Sequence, residues 1–238
     1  MATERRDDGR TADRTRDAKT AHTTDGGDEA HLERSKAVWN RWSDWYALSE
    51  RDLEPIREAA MDRLELESGD RVLDVGCGPG VNLERLRDDV GPNGEVVAVD
   101  YSPEMVAKAR QRVADHGWEN VAVRRADATQ MAFDDPFDAA LATLSFSLMP
   151  DVRRASESVS DALASDGRFV VFDVRCVQRG PARLANPLLR RFLRWYANWH
   201  PDENVLDSLE AVFERCEVVE RYAAGAGYTA VCEKRAEA

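Results

Sequence analysis

The sequence predicts an α/β domain, and three observations carry that expectation. Short apolar runs at 72–75 and 96–99 have the character of strands buried on both faces. Each is followed by helical spacing or a helix start: Leu83, Leu86 and Val90 after the first, Ser102-Pro103-Glu104 after the second. Three alternate glycines, Gly76, Gly78 and Gly80, close the first strand in a tight turn. A chain of 238 residues, 43% of them hydrophobic, suits one such domain with decorations and a substantial core.

The glycine turn is the expected site. Without Cβ atoms it lets a ligand lie against bare backbone, and the helix it opens at Val81 points free N–H groups the same way. The dinucleotide pattern G-x-G-x-x-G/A fails, because its last position falls on Val81. Asp74, immediately before the turn, would oppose a pyrophosphate and suits a ligand with an amino group. About 20 residues beyond Gly80, Asp100 ends the second strand, placed to accept from both hydroxyls of a ribose. A nucleoside without a pyrophosphate fits this pattern.

In chain order, 1–30 is a polar mixture with little to bury and is expected to be a disordered tail. From His31 an amphipathic helix carries Trp39, Trp42, Trp45 and Tyr46, and a second helix spans about 53–64. These aromatics cover an edge of the sheet. The helix capped by Ser102 should run to about His116, and 121–124 is a third strand. The fourth strand, 137–143, ends at Thr143, on the edge where open α/β sheets bind ligands. A fifth, 167–174, contains Asp173, which either orients a substrate or caps a turn. One amphipathic helix is expected over 181–200, with an aromatic face and Arg190, Arg191 and Arg194 on another side. It is either a pocket wall or packed on the sheet. His200, beyond it, is the histidine placed where a base could matter. A helix near 205–215 precedes two strands, 216–222 and 228–232, joined through Gly225 and Gly227 as an antiparallel hairpin.

Four stretches in order, Val72-Leu-Asp-Val-Gly-Cys-Gly-Pro-Gly80, Ala98-Val-Asp-Tyr-Ser-Pro-Glu-Met105, Arg125-Ala-Asp127-Ala128 and Phe137-Asp-Ala-Ala-Leu141, resemble the class I S-adenosylmethionine-dependent methyltransferases. The likeness extends from about Leu64 to the C-terminus. It implies a Rossmann-like, doubly wound sheet of seven strands, mostly parallel, with a C-terminal antiparallel hairpin, over 67–238. It also implies S-adenosyl-L-methionine as cofactor: its methionine part at Asp74, Gly76, Cys77, Gly78 and Gly80, its ribose on Asp100, and its adenine against Tyr101 and Met105. Asp127 and Ala128 would hold the base edge, with Thr143 where cofactor meets substrate, and the segment 31–66 would fold over the cofactor as a helical lid with Tyr46 closing the site. The Asn/Asp-Pro-Pro-aromatic box of base and protein amide methyltransferases is absent from 143–150, and the position where many small-molecule members carry a histidine holds Ser147. No catalytic residue carries over. The glycine turn and Ala224-Gly-Ala-Gly-Tyr-Thr-Ala-Val231 resemble quinone-precursor and lipid-type methyltransferases, so the expected acceptor is a small or lipid-like molecule methylated on oxygen, carbon or nitrogen. A nicotinamide-dependent oxidoreductase and a non-catalytic cofactor-binding protein are the alternatives.

Composition narrows the partners. The net charge of −12, with lysine only at positions 19, 36, 108 and 234, resembles proteins of salt-saturated cytoplasms, where the Debye length falls to about 3 Å or less. Nucleic acid is not an expected partner, and peripheral membrane contact is compatible with the chain. Cys77, Cys176, Cys216 and Cys232 form no C-x-x-C pair, so neither zinc nor a disulfide framework is expected. With no signal-peptide core and no apolar run of membrane-spanning length, the expectation is a reduced cytoplasmic protein without a metal.

Overall fold

The computed structural model describes residues 53–197 and 204–234, with side chains as far as 193 in the first stretch. The expected tail, the first part of the lid with Tyr46, and His200 lie outside the described residues. The described chain begins with a helix, α1, over 53–62. Seven strands follow: β1 (Arg71–Val75), β2 (Glu95–Asp100), β3 (Val121–Arg125), β4 (Phe137–Thr143), β5 (Leu163–Val174), β6 (Arg215–Tyr222) and β7 (Gly227–Glu233). They form one sheet in the order β3-β2-β1-β4-β5-β7-β6. The first five are parallel and β7 runs antiparallel to both β5 and β6, as the resemblance implied.

Alternation along the strands makes two cores. Leu73, Val75, Val97 and Val99 face one side, where α4 (Val152–Ala162) and α6 (Val205–Val212) bury Val152, Ala155, Val159, Val205 and Leu209. Val72, Val96 and Ala98 face the other, against Ala60 and Met61 of α1, Leu83 and Leu86 of α2 (Leu83–Val90), and Val106 and Ala109 of α3 (Pro103–His116). Sheet order reverses between β1 and β4, which opens a crevice at their carboxyl ends.

Three expectations are corrected. The single helix over 181–200 is a 3-10 turn, Pro181–Ala185, followed by α5 (Asn186–Ala197). Pro187 has no N–H to continue a ladder and fits the first turn of a new helix. α4 has no counterpart in the sequence reading, although Asp151 caps it by accepting from Arg154 N at 2.9 Å. Finally, Cys216 and Cys232 form a disulfide. A separation of 16 residues names no partner; only the hairpin register, which sets Cys216 opposite Cys232, brings them together. Cysteine usage therefore no longer argues for a reducing compartment. Among the described residues, no helix is long and apolar enough to cross a membrane.

Candidate functional site

The crevice is a cleft whose empty space, open mouth included, is about 860 Å³. Gly76 and Gly78 form its floor, for different reasons. Gly76 has φ +72°, and a Cβ there would stand 2.4 Å from Ser145 Cβ. Gly78 has φ +55°, and a Cβ there would meet nothing within 4 Å, so its backbone faces open space. Gly80 sits away from the cleft, where a Cβ would strike Leu83 Cδ1 at 2.6 Å.

Asp100 holds the turn in place. Its carboxylate accepts from Gly78 N at 2.9 Å and Ser102 N at 2.8 Å, while Gly76 N and Cys77 N both donate to Val99 O. Burial pushes the Asp100 carboxyl up, against the lowering effect of those amides. Ser102 Oγ then caps α3, accepting from Met105 N at 3.3 Å, and this aims Met105 into the cleft. On the opposite wall Asp127 accepts from Thr129 N and Thr129 Oγ1 at 2.9 and 2.8 Å, fixing the loop that presents Ala128.

Gly76, Gly78, Asp100, Tyr101, Met105, Asp127, Ala128 and Thr143 therefore line one cavity, as the sequence pattern expected. Asp74, Cys77 and Gly80 do not. Asp74 is fully buried beneath the turn, where both its oxygens lie 3.4 Å from Asn82 Nδ2, which also donates to Thr143 Oγ1 at 3.0 Å. Burial pushes the Asp74 carboxyl up to about 7; the Asn82 amide lowers it, and the Asp100 charge adds to the rise. Cys77 is buried, and burial raises its thiol.

The stretch 143–150 stands at the β4 end of the cleft, where the end of the fourth strand is expected to meet substrate, but the sequence assigns no individual roles within it. Leu144 takes φ +55°, a strained value for leucine, and donates its N–H to Phe172 O at 2.7 Å. Ser145 Oγ donates to Val75 O at 2.8 Å, and Leu148, Met149 and Pro150 complete an apolar wall. Ser147 is buried and donates from both N and Oγ, at 2.8 and 2.6 Å, to Asp173, which also accepts from Val174 N. Burial pushes Asp173 up to about 6, the Ser147 bonds opposing it. Asp173 thus pins the β4 loop rather than facing the cleft. Among the described residues no α5 side chain lines the cavity; Trp195, Tyr196 and Trp199 of the expected aromatic face lie outside those with described side chains.

Residues 66–214, more than half of the chain, match the family model described as a methyltransferase domain. The chain belongs to that family. The chain spans less than half the length of the first curated relative it matches: it is 34% identical over 116 residues to the nocamycin O-methyltransferase of Saccharothrix syringae, covering 48% of this chain and 41% of that protein. It is 29% identical to the ubiquinone/menaquinone biosynthesis C-methyltransferase UbiE of Methylococcus capsulatus, covering 68% of this chain and 74% of the relative. In fold it is similar to YcgJ of Bacillus subtilis, with a TM-score of 0.63 at 19% identity over 76% of this chain and 98% of that one.

Proposed function

We propose that the protein moves the methyl group of S-adenosyl-L-methionine to a small, apolar acceptor of quinone or lipid type. The observation that carries this reading is Asp100, at the end of β2 beside the open face of Gly78, with its carboxylate at the cleft. A ribose diol fits the acceptor positions left on that carboxylate. Tyr101 and Met105 would hold the adenine, Asp127 and Ala128 its edge, and Gly76, Gly78 and Thr143 the methionine part. Asp74 acts from behind the turn through Asn82, and Gly80 leaves room for Leu83.

The cofactor supplies an activated methyl group with a good leaving group. The chain's own work is to position the acceptor and exclude water, which together supply as much as about 7–11 kcal/mol of barrier lowering. Leu144, Leu148 and Met149 give the acceptor an apolar bed, and the carboxylates of Asp100 and Asp127 suit a cationic cofactor. Ser147, whose hydroxyl is committed to Asp173, is not placed as a general base. The likeness to UbiE supports a quinone-type acceptor. The acid excess and scarcity of lysine support work in concentrated salt, inside the cell.

The test is transfer of radiolabelled methyl from S-adenosylmethionine to naphthoquinones and phospholipids in molar potassium chloride. Label extracted into the organic phase is expected. Label that stays with the cofactor across both acceptor classes would overturn the acceptor assignment.

A further inference from the structure

The charge of the chain is unevenly spread. Its acidic residues outnumber basic ones 45 to 33, yet positions 174–201 hold no Asp or Glu and six arginines. Within that stretch Leu184, Leu188 and Phe192 recur every fourth residue and are 87%, 73% and 51% exposed. Arg179, Arg183 and Arg191 are exposed as well. Large apolar side chains at this spacing beside cations, with acids excluded, are the pattern of a helix that lies in a membrane interface.

The helix is also fixed in place. Asn186 clamps the exit of β5, accepting from Val177 N at 3.0 Å and donating to Val177 O at 3.1 Å, and Arg190 Nε reaches Cys176 Sγ at 3.2 Å. Because β4 and β5 are parallel, with Thr143 opposite Phe172, the chain after 174 leaves from the same sheet edge that carries Leu148, Met149 and Pro150.

We infer that the 3-10 turn at Pro181–Ala185 and α5 dock the protein on an anionic lipid bilayer, apolar stripe inward and arginines at the headgroups, on the sheet edge where the cleft opens. An acceptor dissolved in the bilayer then reaches the cleft without crossing water. This deepens the acceptor reading given above and rests on it. The anionic surface is argued from the acid-free run of arginines; a bilayer is argued from the leucines, whose burial survives salt that screens the arginines.

The test is co-sedimentation of the full chain with vesicles of phosphatidylcholine alone or mixed with phosphatidylglycerol, with S-adenosylhomocysteine affinity measured in parallel. Wild type is expected to prefer the anionic vesicles by about tenfold or more at 0.1 M salt. Arg179→Gln/Arg183→Gln/Arg191→Gln should remove that preference, and Leu184→Asp/Leu188→Asp should remove binding in molar salt as well. Wild type that ignores both vesicles, or an arginine variant that binds like wild type, overturns the inference. So does a leucine variant that melts lower or changes from dimer to monomer, since the stripe is then covered by this chain or by a second copy. Loss of wild-type homocysteine-ligand binding would instead tell against the cofactor reading, and vesicle binding does not depend on it.

Discussion

At the β1–β2 end of the cleft, backbone amides do the holding: Gly78 and Ser102 donate to the Asp100 carboxylate, and Gly76 and Cys77 to Val99 O. At the β4–β5 end side chains do it, with Ser147 reaching Asp173 across 26 residues and Ser145 reaching Val75 O across 70. An end whose backbone amides converge on one carboxylate and one carbonyl keeps its shape while side chains other than Asp100 vary, which suits a constant cofactor. An end held by side-chain bonds between distant strands can be re-formed by one or two substitutions, which suits an acceptor that differs between relatives.

The harshest way to break the distinction is Gly76→Ala, which touches both ends. The new Cβ would collide with Ser145 and force alanine to φ +72°. The backbone strain alone costs about 1–3 kcal/mol. S-adenosylhomocysteine binding should vanish and the melting temperature fall by several degrees, read by calorimetry and thermal melts. Asp173→Asn should separate the ends: the buried Ser147 donors lose a charged acceptor worth about 1.5–3 kcal/mol, so turnover falls steeply while cofactor affinity stays within about threefold.

The buried carboxylates differ in their pH windows. Both are raised above the ordinary carboxylate range in the fold, so each holds a proton that the unfolded chain has released. The stability tied to that proton is present below about pH 4. It is lost as pH rises, through about 6 for Asp173 and about 7 for Asp74. Melts between pH 4 and 8 should therefore show a stability loss on the order of a few kcal/mol, and Asp74→Asn should flatten its upper part. Smallest at the cleft, and the control for the rest, is Cys216→Ser. Opening a loop of 16 residues should cost about 3 kcal/mol of stability and leave cofactor affinity unchanged.

How far the sequence could be read follows the same division. The strands at Arg71–Val75 and Glu95–Asp100, the Ser102 cap, Gly76, Gly78 and Asp100 were legible because the backbone end is written in short-range patterns, namely apolar runs, alternate glycines and a cap; Tyr101, Met105, Asp127 and Ala128 came only from the family resemblance. Ser145, Ser147 and the role of Asp173 were not, since a serine pairs with a distant strand end only once β4 and β5 are in register. The Cys216–Cys232 bond was hidden for the same reason. The place of Asp74 was misjudged differently: it alternates with Leu73 and Val75 in a strand buried on both faces, which turns its side chain toward Asn82 beneath the turn. α4 was overlooked despite a readable signal, Asp151 ahead of Val152, Ala155 and Val159.

The central claim is that the backbone-held end is the cofactor site, and one titration tests it most directly. Calorimetry of wild type and Asp100→Ala with S-adenosylhomocysteine and NADH should show the adenosyl ligand alone binding wild type. Its affinity should fall about 100-fold in the variant, the roughly 3 kcal/mol of lost charged hydrogen bonds. Equal affinity in the two proteins, or binding of NADH in place of the adenosyl ligand, would contradict it.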